Sequence, residues 1–156
     1  MTRESISKKY KPEMENLILI LTELQERNPQ HYIDPEDMRW VAAYLNTSLG
    51  AVYGVVKYYT LFSTQPRGRH VIRVCRSPVC DMLDGRRVQE SLEALLGIGQ
   101  GEVTPDGLFS WEAVECLGHC DQAPVMMVDD TVYGGLTHGK VQAVIASLQN
   151  NPPKDD

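Results

Sequence analysis

The stretch that decides the fold is His70-Val71-Ile72-Arg73-Val74-Cys75-Arg76-Ser77-Pro78-Val79-Cys80. Residues 70–74 are rich in β-branched side chains, and such runs favour a strand. The run leads directly into Cys75, and Cys80 follows after four intervening residues. The stretch therefore predicts a strand that ends at a cysteine-bearing loop.

The residues after this strand predict further helices and strands in alternation. In chain order the patterns predict a helix over 84–96, strands over 108–114 and 123–128, a hairpin at Asp129-Asp130 into 131–133, and a helix over 137–148 capped by Thr137. The order β-α-β-β-α is typical of a small α/β sandwich of thioredoxin type, in which helices pack against a mixed sheet. The glycine-rich run Gly97-Ile98-Gly99-Gln100-Gly101 follows a helix, so we interpret it as a helix C-cap and turn rather than a dinucleotide-binding loop.

The first third of the chain predicts helices. The predicted helix starts are Pro12, Asp34-Pro35, and either Thr47 or Ser48 as a cap. The apolar faces expected on these helices are Met14, Leu17, Ile18, Leu21 and Leu24; then Met38, Val41, Ala42 and Leu45; then Leu49, Val52, Val56 and Tyr59. We therefore predict a small helical bundle from residue 11 to about 62. The aromatic residues Tyr58, Tyr59 and Phe62 are expected in its core rather than in a partner-facing patch.

The run Gln65-Pro66-Arg67-Gly68 is rich in turn-forming residues and marks the expected boundary between the two parts. The predicted organisation is an N-terminal helical region over 1–66, an α/β domain over 67–149 and a disordered tail over 150–156. The fold class expected for the whole chain is α/β (α+β).

Composition excludes several classes of protein. Lys and Arg number 15 against 21 Asp and Glu, giving a net charge of −6, which argues against a nucleic-acid-binding module. The longest apolar run, residues 17–21, falls well short of the ~18 residues of a membrane span. Residues 1–9 are polar and lack the apolar core of a signal peptide, so we expect a cytoplasmic protein without direct membrane insertion.

The four cysteines form two close pairs. Cys75 and Cys80 are separated by four residues in their loop, and Cys116 and Cys120 are separated by three residues. Both pairs follow predicted strands, where a short loop can bend thiolates toward one point. Without an export signal, paired cysteines favour metal or redox chemistry over structural disulfides. Four thiolates suit a tetrahedral zinc ion or an iron–sulfur cluster.

Spacing favours the cluster over zinc, because zinc ribbons usually have C-x₂-C pairs and the intervals here are wider. The C-x₄-C start is shared with plant-type ferredoxins, although the third cysteine does not follow two residues later. A structural Cys₄ zinc module used only for assembly stays open as an alternative. A thiol–disulfide enzyme is a third possibility, but the C-x-x-C pair usual in such enzymes is absent from the sequence.

Three stretches resemble one family of proteins. They are residues 68–75, residues 101–109, and Glu115-Cys116-Leu117-Gly118-His119-Cys120-Asp121-Gln122-Ala123-Pro124. They resemble the E-type [2Fe–2S] subunits of bacterial NADH-quinone oxidoreductase (respiratory complex I) and their mitochondrial counterpart. The small subunits of NAD-linked hydrogenases, including bifurcating ones, and of NAD-linked formate dehydrogenases are similar too. The resemblance extends over roughly residues 12 to 148.

The resemblance implies a fold and a cofactor. The fold would be a thioredoxin-like ferredoxin domain preceded by the helical region, and it would bind one [2Fe–2S] cluster. The ligands implied by position are Cys75, Cys80, Cys116 and Cys120.

The resemblance also implies a setting for the chain. It would be a one-electron transfer subunit of an NADH:acceptor oxidoreductase, beside a partner subunit that holds FMN, the NADH site and a [4Fe–4S] cluster. No catalytic residue and no substrate site are expected on this chain itself. The host complex, whether respiratory complex I, a hydrogenase or a formate dehydrogenase, stays open, and a membrane would be reached only through that complex.

Four charged or titratable side chains lie near the cysteines in sequence. Arg76, Arg86 and Arg87 either favour the reduced cluster or are solvated surface charges, and the sequence does not decide between these interpretations. His119 lies beside Cys120, but a histidine-ligated centre of Rieske type needs two histidines, so we do not expect it to be a ligand.

Overall fold

The structure is a computed structural model that describes residues 3–150. It divides into two compact units, Met1–Arg67 and Gly68–Asp156. Residues 151–156 of the predicted tail lie outside the described residues, and Asn150 is the last residue of a helix. Within residues 3–150, no helix is both long and apolar enough to cross a membrane.

The first unit consists of helices joined by short turns, as its sequence pattern predicts. The helices are α1 (Arg3–Lys9), α2 (Leu17–Arg27), α3 (Pro35–Tyr44) and α4 (Leu49–Tyr58), with a 3₁₀ turn at Met14–Asn16 before α2. Helix α1 was not predicted, because its sequence is almost entirely polar. Its Ile6 side chain is buried in the core of this unit and attaches the helix to it.

Two helix starts match the predicted capping residues. The Asp34 carboxylate accepts a hydrogen bond from the Glu36 backbone N–H at 2.7 Å, and Pro35 occupies the first turn of α3. Of the two candidates for α4, Ser48 is the cap, since its hydroxyl accepts from the Ala51 N–H at 3.1 Å. Both side chains satisfy backbone donors that a helix start leaves without a partner.

The predicted start of α2 at Pro12 is wrong by about one turn. The Asn16 side chain donates to the Lys11 carbonyl, and the regular helix begins only at Leu17. Of the side chains expected on the apolar face, Met14 and Ile18 are exposed, and Ile20, which was not expected there, is buried. The buried face of α2 therefore follows the spacing 17, 20, 21 and 24.

The core of the first unit is mainly apolar, and its buried polar side chain, Gln25, is hydrogen-bonded to the backbone of Leu61 and Ser63. Its buried apolar members are Ile6, Leu17, Ile20, Leu21, Leu24, Ile33, Met38, Val41, Ala42, Leu45, Val52, Val56 and Phe62. The prediction that Phe62 packs in this core is confirmed, whereas Tyr58 and Tyr59 are exposed. Leu49 is exposed as well, so α4 contributes only its central valines to the buried face.

The second unit is a four-stranded sheet with helices, as the sequence predicts. Its elements are β1 (His70–Cys75), α5 (Pro78–Met82), α6 (Gly85–Leu96), β2 (Phe109–Val114), β3 (Met126–Val128), β4 (Thr131–Tyr133) and α7 (His138–Asn150). The strand order is β2-β1-β3-β4, with β1 parallel to β2 and antiparallel to β3. Strand β3 starts three residues later than predicted, and the one-turn helix α5 was not predicted.

The hairpin and the helix ends follow local rules. Asp129 has a left-handed backbone (φ +52°), its Oδ1 accepts from the Val71 N–H at 2.9 Å, and its Oδ2 lies 2.7 Å from His70 Nδ1. The predicted β3–β4 turn is thereby tied to the start of β1. Helix α6 ends at Gly97, whose φ of +67° is the left-handed C-cap that the glycine-rich run predicts.

Strand β1 lies between two neighbours, and its side chains are buried almost along its whole length. The core of this unit includes Ile72, Val74, Val88, Leu92, Phe109, Trp111, Met126, Val128, Leu136, Val141 and Ile145. Parallel strands end at the same edge of a sheet, so the carboxyl ends of β1 and β2 lie side by side. The two cysteine pairs follow these two ends.

Candidate metal centre

The register of the parallel strands brings the two cysteine-bearing loops together. Cys75, the last residue of β1, lies opposite Val114, the last residue of β2. The Arg76 backbone N–H donates to the Val114 carbonyl at 2.9 Å, which extends the pairing one residue into the loops. Cys116 then follows two residues after Val114. The thiols predicted from the sequence to form one site therefore leave the sheet at one edge.

The first pair, Cys75 and Cys80, is buried. The exposed fractions of the two residues are 1% and 0%, and both pack with Val125. The Cys75 backbone N–H donates to the Val125 carbonyl at 3.2 Å, so the segment leading into β3 fixes the end of β1. Helix α5 begins at Pro78 and carries Cys80 in its single turn.

Helix α6 closes tightly over the Cys80 backbone. A Cβ added at Gly85 would lie 2.6 Å from the Cys80 carbonyl oxygen, which is closer than non-bonded atoms approach. Only glycine fits there. The absence of a side chain at residue 85 thus allows the start of α6 to pack directly on the buried pair.

The second pair, Cys116 and Cys120, is exposed. The two sulfur atoms lie 3.7 Å apart. Gly118 lies between them with φ +82°, and its backbone N–H donates to the Cys116 sulfur at 3.4 Å. The backbone conformation of Gly118 is one that residues with a side chain rarely adopt, so glycine lets this short loop turn back on itself.

The spacing of the exposed sulfurs fits a shared metal. Two thiolates bound to one tetrahedral ion through bonds of about 2.3 Å lie about 3.8 Å apart. A disulfide would need about 2.05 Å. The 3.7 Å between Cys116 and Cys120 is far from a disulfide and close to the metal-bound separation, and two free thiols in hydrogen-bonding contact lie at the same distance.

The thiols influence one another electrostatically. The pKa of the Cys120 thiol is raised, first by its hydrogen bond and charge interaction with Cys116 and more weakly by the charges of Cys80 and Cys75. The exposed pair is therefore close enough to the buried pair for the charges of their sulfurs to interact. Within residues 3–150, no three His, Cys, Asp or Glu side chains converge on a single point as metal ligands, and the thiols lie as two pairs.

The pKa values of the two buried thiols are shifted in opposite directions. Burial acts to raise the pKa of Cys75, but hydrogen bonds from the Ser77 hydroxyl and from the Ser77 and Leu117 backbone N–H groups together lower it. Burial raises the pKa of Cys80, and the Val125 N–H offsets only part of this effect. Donors aimed at sulfur are among the features that stabilise the charged thiolates of iron–sulfur sites.

The donor set fits an iron–sulfur cluster. Four cysteine sulfurs are the soft ligands that such clusters and zinc both take. On the buried side the Ser77 hydroxyl lies within hydrogen-bond distance of the Cys75 sulfur, and on the exposed side the Gly118 N–H donates to the Cys116 sulfur. The residues that would hold the metal are the four cysteines predicted from the sequence.

The three arginines form surface ion pairs. Arg76 pairs with Glu115, Arg86 with Asp81 at 3.0 Å, and Arg87 with Asp84 at 3.6 Å. Each arginine side chain is more than half exposed, and its charge is compensated by the neighbouring carboxylate. Of the two interpretations open from the sequence, the solvated surface charge is the one that this geometry favours.

His119 and Ser77 are polar residues close to the cysteines in sequence, and only His119 was considered from the sequence, where it was not expected to be a ligand. His119 is half-buried at the start of a 3₁₀ turn, and its carbonyl accepts from the Gln122 N–H at 3.0 Å. Ser77 was not singled out by the sequence patterns, yet its hydroxyl oxygen lies 3.2 Å from the Cys75 sulfur. The sequence does carry one feature that could have identified Ser77. It lies between two cysteines and directly before a proline, a position where a serine normally caps a helix.

The chain matches a known family along nearly its whole described length. The model of the thioredoxin-like [2Fe–2S] ferredoxin family matches residues 3–149. The chain is 43% identical over 117 residues to the NADH-quinone oxidoreductase E-type subunit of Aquifex aeolicus, covering 75% of this chain and 72% of that protein. It is 35% identical over 149 residues to the same subunit of Rickettsia bellii, covering 95% and 89%.

Hydrogenase subunits are similar as well. The NADP-reducing hydrogenase subunit HndA of Solidesulfovibrio fructosivorans is 38% identical over 115 residues, covering 74% of this chain and 67% of that protein. Among solved structures, an NAD⁺-reducing [NiFe]-hydrogenase in the air-oxidised state matches 88% of this chain with a TM-score of 0.77 at 20% identity. This chain spans 23% of that hydrogenase chain, and the likeness shows a shared fold.

Proposed function

Because this chain belongs to the thioredoxin-like [2Fe–2S] ferredoxin family, we propose that its four cysteines hold the cluster of a one-electron transfer subunit in an NADH-linked oxidoreductase. The proposed ligands are Cys75, Cys80, Cys116 and Cys120. Family membership and the α/β fold agree with what the sequence resemblance implies. The assignment of individual ligands is our proposal.

One observation carries this assignment. The parallel pairing of β1 and β2 places both cysteine pairs at one edge of the sheet, and the exposed pair has its sulfurs 3.7 Å apart. That separation lets two thiolates bind one iron without a change in the loop. A two-iron cluster needs two such pairs, so we assign Cys75 and Cys80 to one iron and Cys116 and Cys120 to the other.

The buried and the exposed cysteine pairs have different proposed roles. When bound, a [2Fe–2S] cluster takes up and releases a single electron. The buried pair and Val125 keep water from one side of the site. The exposed pair leaves the other side open at the protein surface. We propose that electrons enter and leave on the side of Cys116 and Cys120.

A one-electron site implies a partner. NADH delivers two electrons as a hydride, and a flavin is the usual group that separates such a pair into single electrons. We propose that an FMN- and NADH-binding flavoprotein subunit, which also carries a [4Fe–4S] cluster, is the direct partner. The names of the relatives, a quinone oxidoreductase subunit and a hydrogenase subunit, support a larger complex of this kind.

Metal content and spectroscopy test the cluster. The full chain is purified anaerobically, and its iron, acid-labile sulfide and zinc are measured together with visible absorption and EPR spectra. We expect about two irons and two sulfides per chain and an EPR signal that appears on reduction. A colourless chain with stoichiometric zinc, and no cluster after reconstitution, would instead support the structural zinc module.

Co-purification tests the setting. The chain is isolated under gentle lysis with its cluster intact, and the bound chains are identified. A flavoprotein that binds FMN and NADH supports the proposal, and the other subunits decide between respiratory complex I, a hydrogenase and a formate dehydrogenase. A chain that is recovered alone with a complete cluster would contradict the role as a complex subunit.

A further inference from the structure

Ser77 occupies the N-cap position of α5 but does not cap it. Its backbone is extended (φ −66°, ψ 157°), as N-cap residues usually are, and its side chain makes no hydrogen bond to the N–H groups of the helix. In the other unit, Ser48 has nearly the same backbone (φ −80°, ψ 148°) and does cap its helix. The same residue type in the same position therefore uses its hydroxyl differently.

The Ser77 hydroxyl points toward sulfur. Its oxygen lies 3.2 Å from the Cys75 sulfur, and the two residues are 8% and 1% exposed. Between two neutral groups either atom could donate the hydrogen. A thiolate has no hydrogen to give, so once Cys75 binds a metal the hydroxyl must be the donor.

A buried hydrogen bond of this kind responds to charge. Hydrogen bonds to ionised acceptors are about twice as strong as those between neutral groups, and low local polarity strengthens them further. Adding one electron makes the sulfurs of an iron–sulfur site more negative. A donor directed at one of those sulfurs therefore stabilises the reduced state more than the oxidised state.

We propose that Ser77 is a positioning residue that raises the reduction potential of the site by donating its hydroxyl hydrogen to the Cys75 sulfur. This rests on the proposed function, since it needs Cys75 to be a ligand. The absence of capping at α5 has a small effect on the fold, because that helix has only five residues.

The test compares two serines that share a backbone position. Ser77→Ala removes the hydroxyl beside sulfur, Ser77→Thr keeps a hydroxyl there, and Ser48→Ala removes a true helix cap in the other unit. Each holo-chain is titrated with dithionite and redox mediators while EPR follows the reduced signal. Iron and sulfide content and thermal unfolding are measured on the same samples.

Ser77→Ala is expected to keep its cluster and to become harder to reduce. At a fixed potential its ratio of reduced to oxidised chain should fall about three- to tenfold, and a tenfold change corresponds to 59 mV for one electron. Ser77→Thr should return toward the wild-type ratio. Ser48→Ala should lower the unfolding temperature and leave the ratio unchanged.

Three results would overturn the proposal. The first is a Ser77→Ala chain with a full cluster and an unchanged potential, and the second is a Ser77→Thr chain that shifts as much as Ser77→Ala. The third is a Ser77→Ala chain that binds no cluster, which would assign the hydroxyl to assembly. A wild-type chain without iron and sulfide would instead refute the proposed ligand set, so the two failures are distinguishable.

Discussion

Cys75 and Cys80 are almost completely buried, whereas Cys116 and Cys120 lie on the surface of the same unit. The buried pair is held by a strand end, a helix turn and the packing of Val125. The exposed pair is held by a short loop with one glycine in a left-handed conformation. The two halves of the proposed site are thus held in place by different contacts.

The difference indicates how the fold and the metal contribute to each half. The packing that buries Cys80 belongs to the fold, so that half keeps its shape through the same contacts that stabilise the chain. In the loop from Cys116 to Cys120, Leu117 packs against the buried pair but the two cysteines themselves are exposed. We therefore expect a bound metal to contribute most of the order of Cys116 and Cys120. Replacing a cysteine of the buried half should therefore affect stability and metal binding together, while replacing a cysteine of the exposed half should affect metal binding alone.

The largest expected effects come from replacing one cysteine in each pair. Cys80→Ser and Cys116→Ser should both lose the [2Fe–2S] cluster, as measured by iron content and visible absorption. Without metal, Cys80→Ser should also be less stable by about 1–3 kcal/mol, because its hydroxyl is buried beside apolar groups. Cys116→Ser should stay within about 0.5 kcal/mol of the metal-free wild type.

Urea unfolding of the metal-free chains measures this contrast. Equal destabilisation by the two serine variants would show that burial does not separate the two halves. A complete cluster in either variant would remove that cysteine from the ligand set.

The second effect concerns the backbone of the exposed loop. Gly118→Ala forces a side chain onto a residue with φ +82° and should destabilise the loop by about 1–3 kcal/mol. We expect the chain to release iron faster to a chelator, because the strain lies between two ligands.

The matched control is Gly107→Ala. Gly107 also has a positive φ (+72°) and no heavy atom within 4 Å of an added Cβ, but it lies in the turn before β2, away from the cysteines. Gly107→Ala should lower the unfolding temperature about as much as Gly118→Ala does, and it should leave the rate of iron release unchanged. If both variants release iron at the same increased rate, the loop has no special role in holding the metal.

The smallest effect depends on pH and lies at the other end of β2. The pKa of Asp106 is lowered, first by its hydrogen bond with the Thr104 hydroxyl and then by the Leu108 backbone N–H. Because the pKa is lower in the folded chain, this carboxylate stabilises the fold above its ordinary pKa of 3.8, and the contribution is lost as the pH falls through the folded value.

Asp106→Asn should therefore reduce stability at neutral pH by no more than about 0.5 kcal/mol and weaken the loss of stability on acidification. Urea unfolding between neutral and acidic pH measures this, with Asp130→Asn as the comparison on an exposed hairpin residue. A steeper acid dependence in Asp106→Asn than in the wild type would contradict the sign of the effect.

The elements that sequence patterns predict well are those set by local chemistry. The start of α3 at Asp34-Pro35 and the left-handed end of α6 at Gly97 depend on backbone donors and acceptors within one turn. The hairpin at Asp129-Asp130 is likewise visible in its own residues, and the bonds from Asp129 to His70 and Val71 add to it without competing. Such features are predicted correctly because nothing distant competes with them.

The features that the patterns missed depend on contacts beyond the local pattern. The sequence of helix α1 is almost entirely polar and does not predict a packed helix, and only the burial of Ile6 shows that it packs. The start of α2 lies a turn later than predicted because an Asn16 side chain satisfies the Lys11 carbonyl. Ser77 has no predicted role, since its partner is a sulfur on a strand end rather than a nearby N–H.

The candidate site was predictable in its ligand types but not in its asymmetry. The two cysteine pairs are visible as spacing in the sequence. Which pair is buried depends on the segment leading into β3, where Val125 covers Cys75 and Cys80. No periodic pattern around the cysteines carries that information.

The central claim is that four cysteine sulfurs hold two irons as one cluster. Iron K-edge X-ray absorption of the anaerobically purified full chain tests it most directly, because the fine structure reports the ligands and neighbours of iron. The account predicts a first shell of sulfur alone and one iron neighbour for each iron. Nitrogen or oxygen ligands in the first shell, or iron without an iron neighbour, would contradict it.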